Sequence, residues 1–305
     1  MVDRVELGTA ALTRVVEWQV DQLPVALFPQ TPPEVWRDLA GEFSPTFWTD
    51  AHWRIALQTW VIEVDGLTVL VDTGAGNGRD RPAMAPLDHL DTDFLGSLQR
   101  AGVTPDAVDA VVNTHVHSDH VGWNTKRDND SWVPTFPNAR YVIPEVDYRF
   151  FHPDNADNRP PARTEADQAR QDQSLTVWAD SIAPVDDAGQ IELWSDDHRI
   201  SESLRLRRAP GHTPGSSVLW LDAGRPAVFV GDLTHSPMQL HRPDDPCAFD
   251  EDLTAAAVTR KHVLTEASRR RAPVIPAHYP GHGGVTVVAR GDAFMVDDWL
   301  EISAI

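Results

Sequence analysis

Cysteine is nearly absent. The 305-residue chain has a single one, Cys247, so no disulfide can close within it and a disulfide-stapled secreted scaffold is excluded. Basic residues are scarce as well: 26 Lys and Arg face 46 Asp and Glu, a formal net charge of −20. Such a chain is repelled by a dense phosphate array, which argues against nucleic-acid and anionic-membrane partners. No apolar run approaches the roughly 18 residues that a spanning helix needs. The opening Met-Val-Asp-Arg-Val-Glu has charges where a secretory signal has an apolar core, so a cytoplasmic location is expected. Internal repeats and low-complexity tracts are lacking too, which sets solenoids aside. What remains, 41% hydrophobic and 24% charged residues, is the make-up of a globular protein, and the chain reads as one domain over residues 1–305.

Residues 1–53 read as an irregular N-terminal extension with one short helix at 34–40. Its Trp18, Trp36, Trp48, Trp53, Phe28, Phe43 and Phe47 are too many large apolar side chains for a solvated arm. They are expected to cover the pocket or a second copy, and on that ground a homodimer is expected. Asp65-Gly66 between apolar runs at 55–64 and 67–72 predicts a hairpin. Helices are predicted near 91–101, 145–151, 166–181 and 251–269, and strands at 108–113, 140–143, 189–194, 203–209, 216–222, 226–231 and 272–276. The Pro-, Asp- and Asn-rich stretch 152–165 reads as a surface insertion, and the tail from Val285 as a strand followed by an end helix. Runs of strands separated by helices fit an α+β fold, with two sheets face to face and helices outside.

The chemistry concentrates at strand ends. His115-Val-His117-Ser-Asp119-His120 puts three imidazoles and a carboxylate on the loop after a buried strand, which is metal-ligand composition. In an extended segment His115, His117 and Asp119 share a face, while His120 needs the turn that Gly122 helps to make. His212 in Pro-Gly-His-Thr-Pro-Gly, Asp232 in Val-Gly-Asp and His278 in Pro-Ala-His sit at three further strand-loop junctions. Each alone reads as an ordinary structural residue; the set does not.

With these residues in view, the sequence resembles the metallo-β-lactamase-fold hydrolases over about residues 55–290. The motifs are Asp72 in Val-Asp-Thr-Gly, the His115–His120 block, His212, Asp232 and His278. The spacing is similar to the subgroup of acyl-homoserine lactonases and methyl-parathion-type hydrolases. The resemblance implies an αββα sandwich and a dinuclear centre, with His115, His117 and His212 on one metal, Asp119, His120 and His278 on the other, and Asp232 bridging. Five histidines and two aspartates around one cavity ask for cations by themselves, because unpaired buried carboxylates cost several kcal/mol each. A nitrogen and oxygen set without thiolate favours two divalent ions, zinc first, with Mn(II), Co(II) or Fe(II) open.

The activity expected from that set is hydrolysis of a small neutral lactone or ester by a hydroxide held between the metals, with Asp119 orienting it and passing its proton to the leaving group. Asp72 is a candidate for holding a ligand histidine's tautomer, and Trp123 and His235 are candidates for the substrate pocket. Trp123 also stands where thioesterase-type relatives carry glycine, which argues against glutathione thioesters. His282 is a weaker candidate, and His52, His89, His152, His198, His241 and His262 read as surface residues. Phosphotriester and β-lactam hydrolysis are alternatives on the same site. A diiron redox enzyme is remoter, as is a nuclease, for which no basic patch is present.

Overall fold

The computed structural model describes residues 1–305, and two facing sheets organise it. Four strands of the first sheet are parallel: Ile191–Trp194, Arg140–Pro144, Ala110–Val112 and Leu67–Val71. It continues antiparallel through His52–Val64, Ala10–Gln22, Val2–Leu7 and Ser303–Ala304, with Trp48–Thr49 beside His52–Val64. The second sheet runs Asp197–Arg199, Leu204–Arg208, Ser217–Asp222, Pro226–Gly231, Val274–Pro276, Val285–Arg290 and Ala293–Trp299. It is antiparallel except between Pro226–Gly231 and Val274–Pro276.

Side-chain alternation explains the layering. Ile62, Val69, Val71 and Val112 pack with Leu206, Leu219, Leu221 and Phe229 in the core between the sheets. Their sequence neighbours Val61, Leu70 and Val111 point the other way, onto Phe94 and Leu98 of the Phe94–Arg100 helix. On the far face of the second sheet Val218, Trp220 and Val228 meet Val263, Leu264 and Ala267 of the Leu253–Arg270 helix. The order is helix, sheet, sheet, helix, as the α+β sandwich reading expects.

Three expectations need correction. Residues 1–53 are not an irregular extension: Val2–Leu7 and Ala10–Gln22 form a hairpin, and the second strand pairs with His52–Val64 along its length. Gly8 supplies the turn with φ +64, and a Cβ there would lie 1.8 Å from the Ala223 carbonyl oxygen. The end helix is absent, because Val285–Arg290 and Ala293–Trp299 form a hairpin and the chain then adds Ser303–Ala304 beside Val2–Leu7. The aromatic residues are not spare surface for a second copy, which removes the argument for a homodimer. Phe28, Trp36, Phe43, Phe47 and Trp53 are buried together, with Phe47 stacked 5.1 Å from Trp299.

Candidate active site

The strands Leu67–Val71, Ala110–Val112, Pro226–Gly231 and Val274–Pro276 each release their chain toward one end of the sandwich. Asp72, the His115–His120 loop, Asp232 and His278 follow directly, and His212 follows Leu204–Arg208. His115, His117 and Asp119 do not share a strand face, since the strand ends at Val112 and the loop bends. His120 is turned in by its own N–H, which donates to the His117 carbonyl at 3.1 Å, while Thr73 N–H donates to the His120 carbonyl at 2.7 Å. Gly231, at φ +51, lets the chain before Asp232 approach Thr114; a Cβ there would sit 2.5 Å from Thr114 Oγ1.

All seven predicted side chains converge. His115, His117, His212 and Asp232 offer atoms that lie within 4.8 Å of one another, and so do Asp119, His120 and His278. The His117 Nδ1 is 3.1 Å from both His115 Nε2 and His212 Nε2. Asp232 faces both groups. Its Oδ2 lies 3.2 Å from His212 Nε2, and its Oδ1 lies 3.2 Å from His120 Nε2 and 3.0 Å from His278 Nε2. Asp119 Oδ2 is 3.5 Å from His278 Nε2.

The outer nitrogens set the tautomers. His278 Nδ1 is 2.9 Å from the Ala56 carbonyl, which can only accept, so this nitrogen carries the proton and the neutral ring turns a bare Nε2 inward. His120 Nδ1 donates to Asp72 Oδ2 at 2.9 Å, and His212 Nδ1 to Asp250 Oδ1 at 3.0 Å. Thr114 Oγ1 gives its proton to Asp72 Oδ2 at 2.8 Å and so accepts from His115 Nδ1 at 3.1 Å. With these four rings neutral, four lone pairs point at each other and at a carboxylate. His120 Nε2 and Asp232 Oδ1 are buried without a hydrogen-bond partner. A buried cluster of this kind calls for positive charge. Burial pushes His115 and His117 well below the usual imidazole range. Burial opposes protonation of His120, His212 and His278 too, yet the carboxylates outweigh it: Asp232 draws all three up, joined by Asp250 at His212, which rises to about 9.

Asp72 takes the predicted place against a histidine of the cluster, and its φ of +53 is a strained backbone for a residue other than glycine. The Thr114 N–H donates to it at 2.7 Å. His235 lines the cavity with Nε2 3.1 Å from Asp232 Oδ2 and a buried Nδ1 that has no partner. Trp123 is not in the pocket. It stacks on Phe94 at 5.3 Å, and its Nε1 donates to Glu17 at 2.7 Å. His282 is exposed and bonds the Leu300 carbonyl. His52, His89 and His262 are exposed, whereas His152, His198 and His241 are half-buried; all six lie outside the cluster.

Sequence reasoning missed Asp250 and Asp147. Asp147 is buried and accepts from Val116 N–H, Gly215 N–H and the Thr213 hydroxyl, tying the His117 loop to the His212 loop. Burial raises its carboxyl to about 6. Both aspartates lie in segments with no motif of their own.

A cavity of about 280 Å³ opens onto the cluster, with His117, Asp119, Asp232 and His278 in its floor. Trp18, Leu57, Met84, Phe150, Phe151 and Phe249 make an apolar surround. The stretch 152–165 is no plain surface insertion, for Arg159, Pro160, Pro161 and Arg163 line this cavity. The sequence model of the metallo-beta-lactamase superfamily matches residues 57–278. The chain belongs to the metallo-β-lactamase superfamily. It is a metallo-β-lactamase-fold hydrolase with a site suited to a divalent metal.

Solved structures agree on the fold of this superfamily member. The hydrolase AbOPH superposes with a TM-score of 0.81 at 21% identity, covering 100% of this chain and 98% of that one. AidC, a dizinc quorum-quenching lactonase in complex with a product, N-hexanoyl-L-homoserine, gives 0.77 at 21% identity, covering 98% of each chain. A probable metal-dependent hydrolase from Staphylococcus aureus gives 0.76 at 15% identity, covering 97% of this chain and 98% of that one. No curated protein matches the sequence. No helix is long and apolar enough to cross a membrane.

Proposed function

We propose that this protein is a dinuclear hydrolase of small lactones or esters, acting as one domain over residues 1–305. His115, His117 and His212 would hold one divalent ion, Asp119, His120 and His278 the second, and Asp232, which faces both groups, would serve both. The tautomer pattern carries this reading: the outer nitrogens of His115, His120, His212 and His278 are each occupied by an acceptor, so in the neutral rings their inner nitrogens are bare donors of electron pairs. Bound there, two ions, zinc first, would supply an acidified water, with a pKa near about 7, and a Lewis acid for the substrate's carbonyl oxygen. Asp119, whose side chain is 17% exposed at the cavity floor, would hold a proton on its carboxylate and pass it to the leaving oxygen. The apolar surround holds the acyl portion and excludes bulk water.

The test is elemental analysis together with a panel of an acyl-homoserine lactone, an aryl ester, a phosphotriester and a chromogenic β-lactam, each also run with Asp119→Asn. Two metals per chain and lactone or ester turnover that disappears in the variant are expected. Turnover of the phosphotriester alone, or of the β-lactam alone, reassigns the reaction. Less than one tightly bound metal per chain overturns the dinuclear reading.

A further inference from the structure

Apart from the histidine cluster and its aspartates, five charged side chains line the cavity: Arg159, Arg163, Asp167, Arg170 and Glu251. Three cations meet two anions, in a chain with nearly two acidic residues for each basic one. The cations are set in place rather than stray. Arg159 donates to the carbonyls of Phe150 at 2.9 Å and Phe151 at 3.0 Å and to the Ser174 hydroxyl, and no carboxylate contacts it. Arg163 and Arg170 share one carboxylate, Asp167. Arg170 also lies 4.6 Å over the Phe249 ring, and its Nε and Nη1 donate to no protein group.

We infer that the substrate's apolar chain ends in a carboxylate, which Arg163 and Arg170 bind beside Asp167. This rests on the ester or lactone reading of the site and replaces the neutral substrate expected from the sequence. The free N–H groups of Arg170 match a carboxylate oxygen, and a low-dielectric wall strengthens the pairing. Phe150, Phe151 and Phe249 supply the apolar surface along which the chain lies. The fixed charge of Arg159 adds attraction without a contact of its own.

The experiment compares zinc-loaded enzyme on two matched pairs: mono-4-nitrophenyl adipate against 4-nitrophenyl hexanoate, and mono-4-nitrophenyl suberate against 4-nitrophenyl octanoate. A kcat/KM ratio favouring the acid by about tenfold or more at low salt is expected in at least one pair, shrinking as salt is added. In Arg163→Gln/Arg170→Gln the ratio should fall to about one, and in Asp167→Asn, which releases both cations, it should rise. Hydrolysis of both esters with no preference for the acid overturns this inference and leaves the hydrolase reading standing. A preference that survives the double variant overturns the assignment to these arginines. Turnover of no ester while a lactone is hydrolysed overturns this inference; turnover of neither overturns the reading beneath it.

Discussion

The floor of the cavity and its wall are held by different means. In the floor, four of the five histidines of the cluster have the outer nitrogen pinned, by Asp72, Asp250, Thr114 or the Ala56 carbonyl. The wall is tied down at a distance. Arg81 forms a two-pronged pair with Asp180 at 2.8 and 2.9 Å, Arg79 reaches the same carboxylate at 2.9 Å, and Ala83 N–H bonds Gln173. These join the 79–87 loop to the segment 165–182, while Arg170 in the wall keeps its Nε and Nη1 free. A floor built for chemistry has its lone pairs oriented in advance; the wall satisfies most of its polar groups within the protein and leaves free donors at Arg170.

Breaking the floor should have the largest effect. Asp232→Asn removes the one carboxylate that faces both groups, so metal content should fall below two per chain and activity by on the order of 10³-fold or more, read by elemental analysis and steady-state kinetics. Breaking the wall should cost stability. Asp180→Ala leaves Arg79 and Arg81 buried with no counter-charge, which should destabilise the fold by about 3–5 kcal/mol in denaturant titration.

Asp147, the link between the two histidine loops, sharpens the comparison through pH. Its folded carboxyl, at about 6, lies above the ordinary 3.8, so the folded state holds this proton more tightly than the unfolded chain. Its contribution is therefore fully present below about pH 4 and is lost as pH rises through about 6. The gap in unfolding free energy between the parent protein and Asp147→Asn should shift by about 2 kcal/mol in the variant's favour from pH 4 to pH 7, measured without metal. A gap that does not change with pH would refute this. The smallest effect is expected at Asp250→Asn, which keeps the shape but lets the His212 tautomer relax: metal affinity should drop about 10–100-fold in chelator competition.

The seven cluster residues were legible because each sits where a strand gives way to Gly, Pro or a histidine block, a pattern with a chemical reason in single residues. Asp72 was legible as a partner for the same reason. Asp250, Asp147 and the Ala56 carbonyl were not, since nothing at those positions marks them until the chain is folded. The N-terminal hairpin had signals that were outweighed: Val5 and Leu7 alternate with charged residues before Gly8, but the Pro-rich stretch that follows pulled the whole segment toward irregular structure. Trp123 misled because an aromatic beside a motif is as well suited to core as to pocket. Here Phe94 and the half-buried Glu17 claim it.

From sequence alone come the superfamily resemblance, the sandwich of two sheets and the donor set, because strand periodicity and ligand identity are properties of neighbouring residues. Tertiary structure alone decides which nitrogen of each imidazole faces inward and which charges line the cavity. Those depend on partners as far apart in the chain as Ala56 and His278, or Arg170 and Phe249, brought into contact only when the core closes.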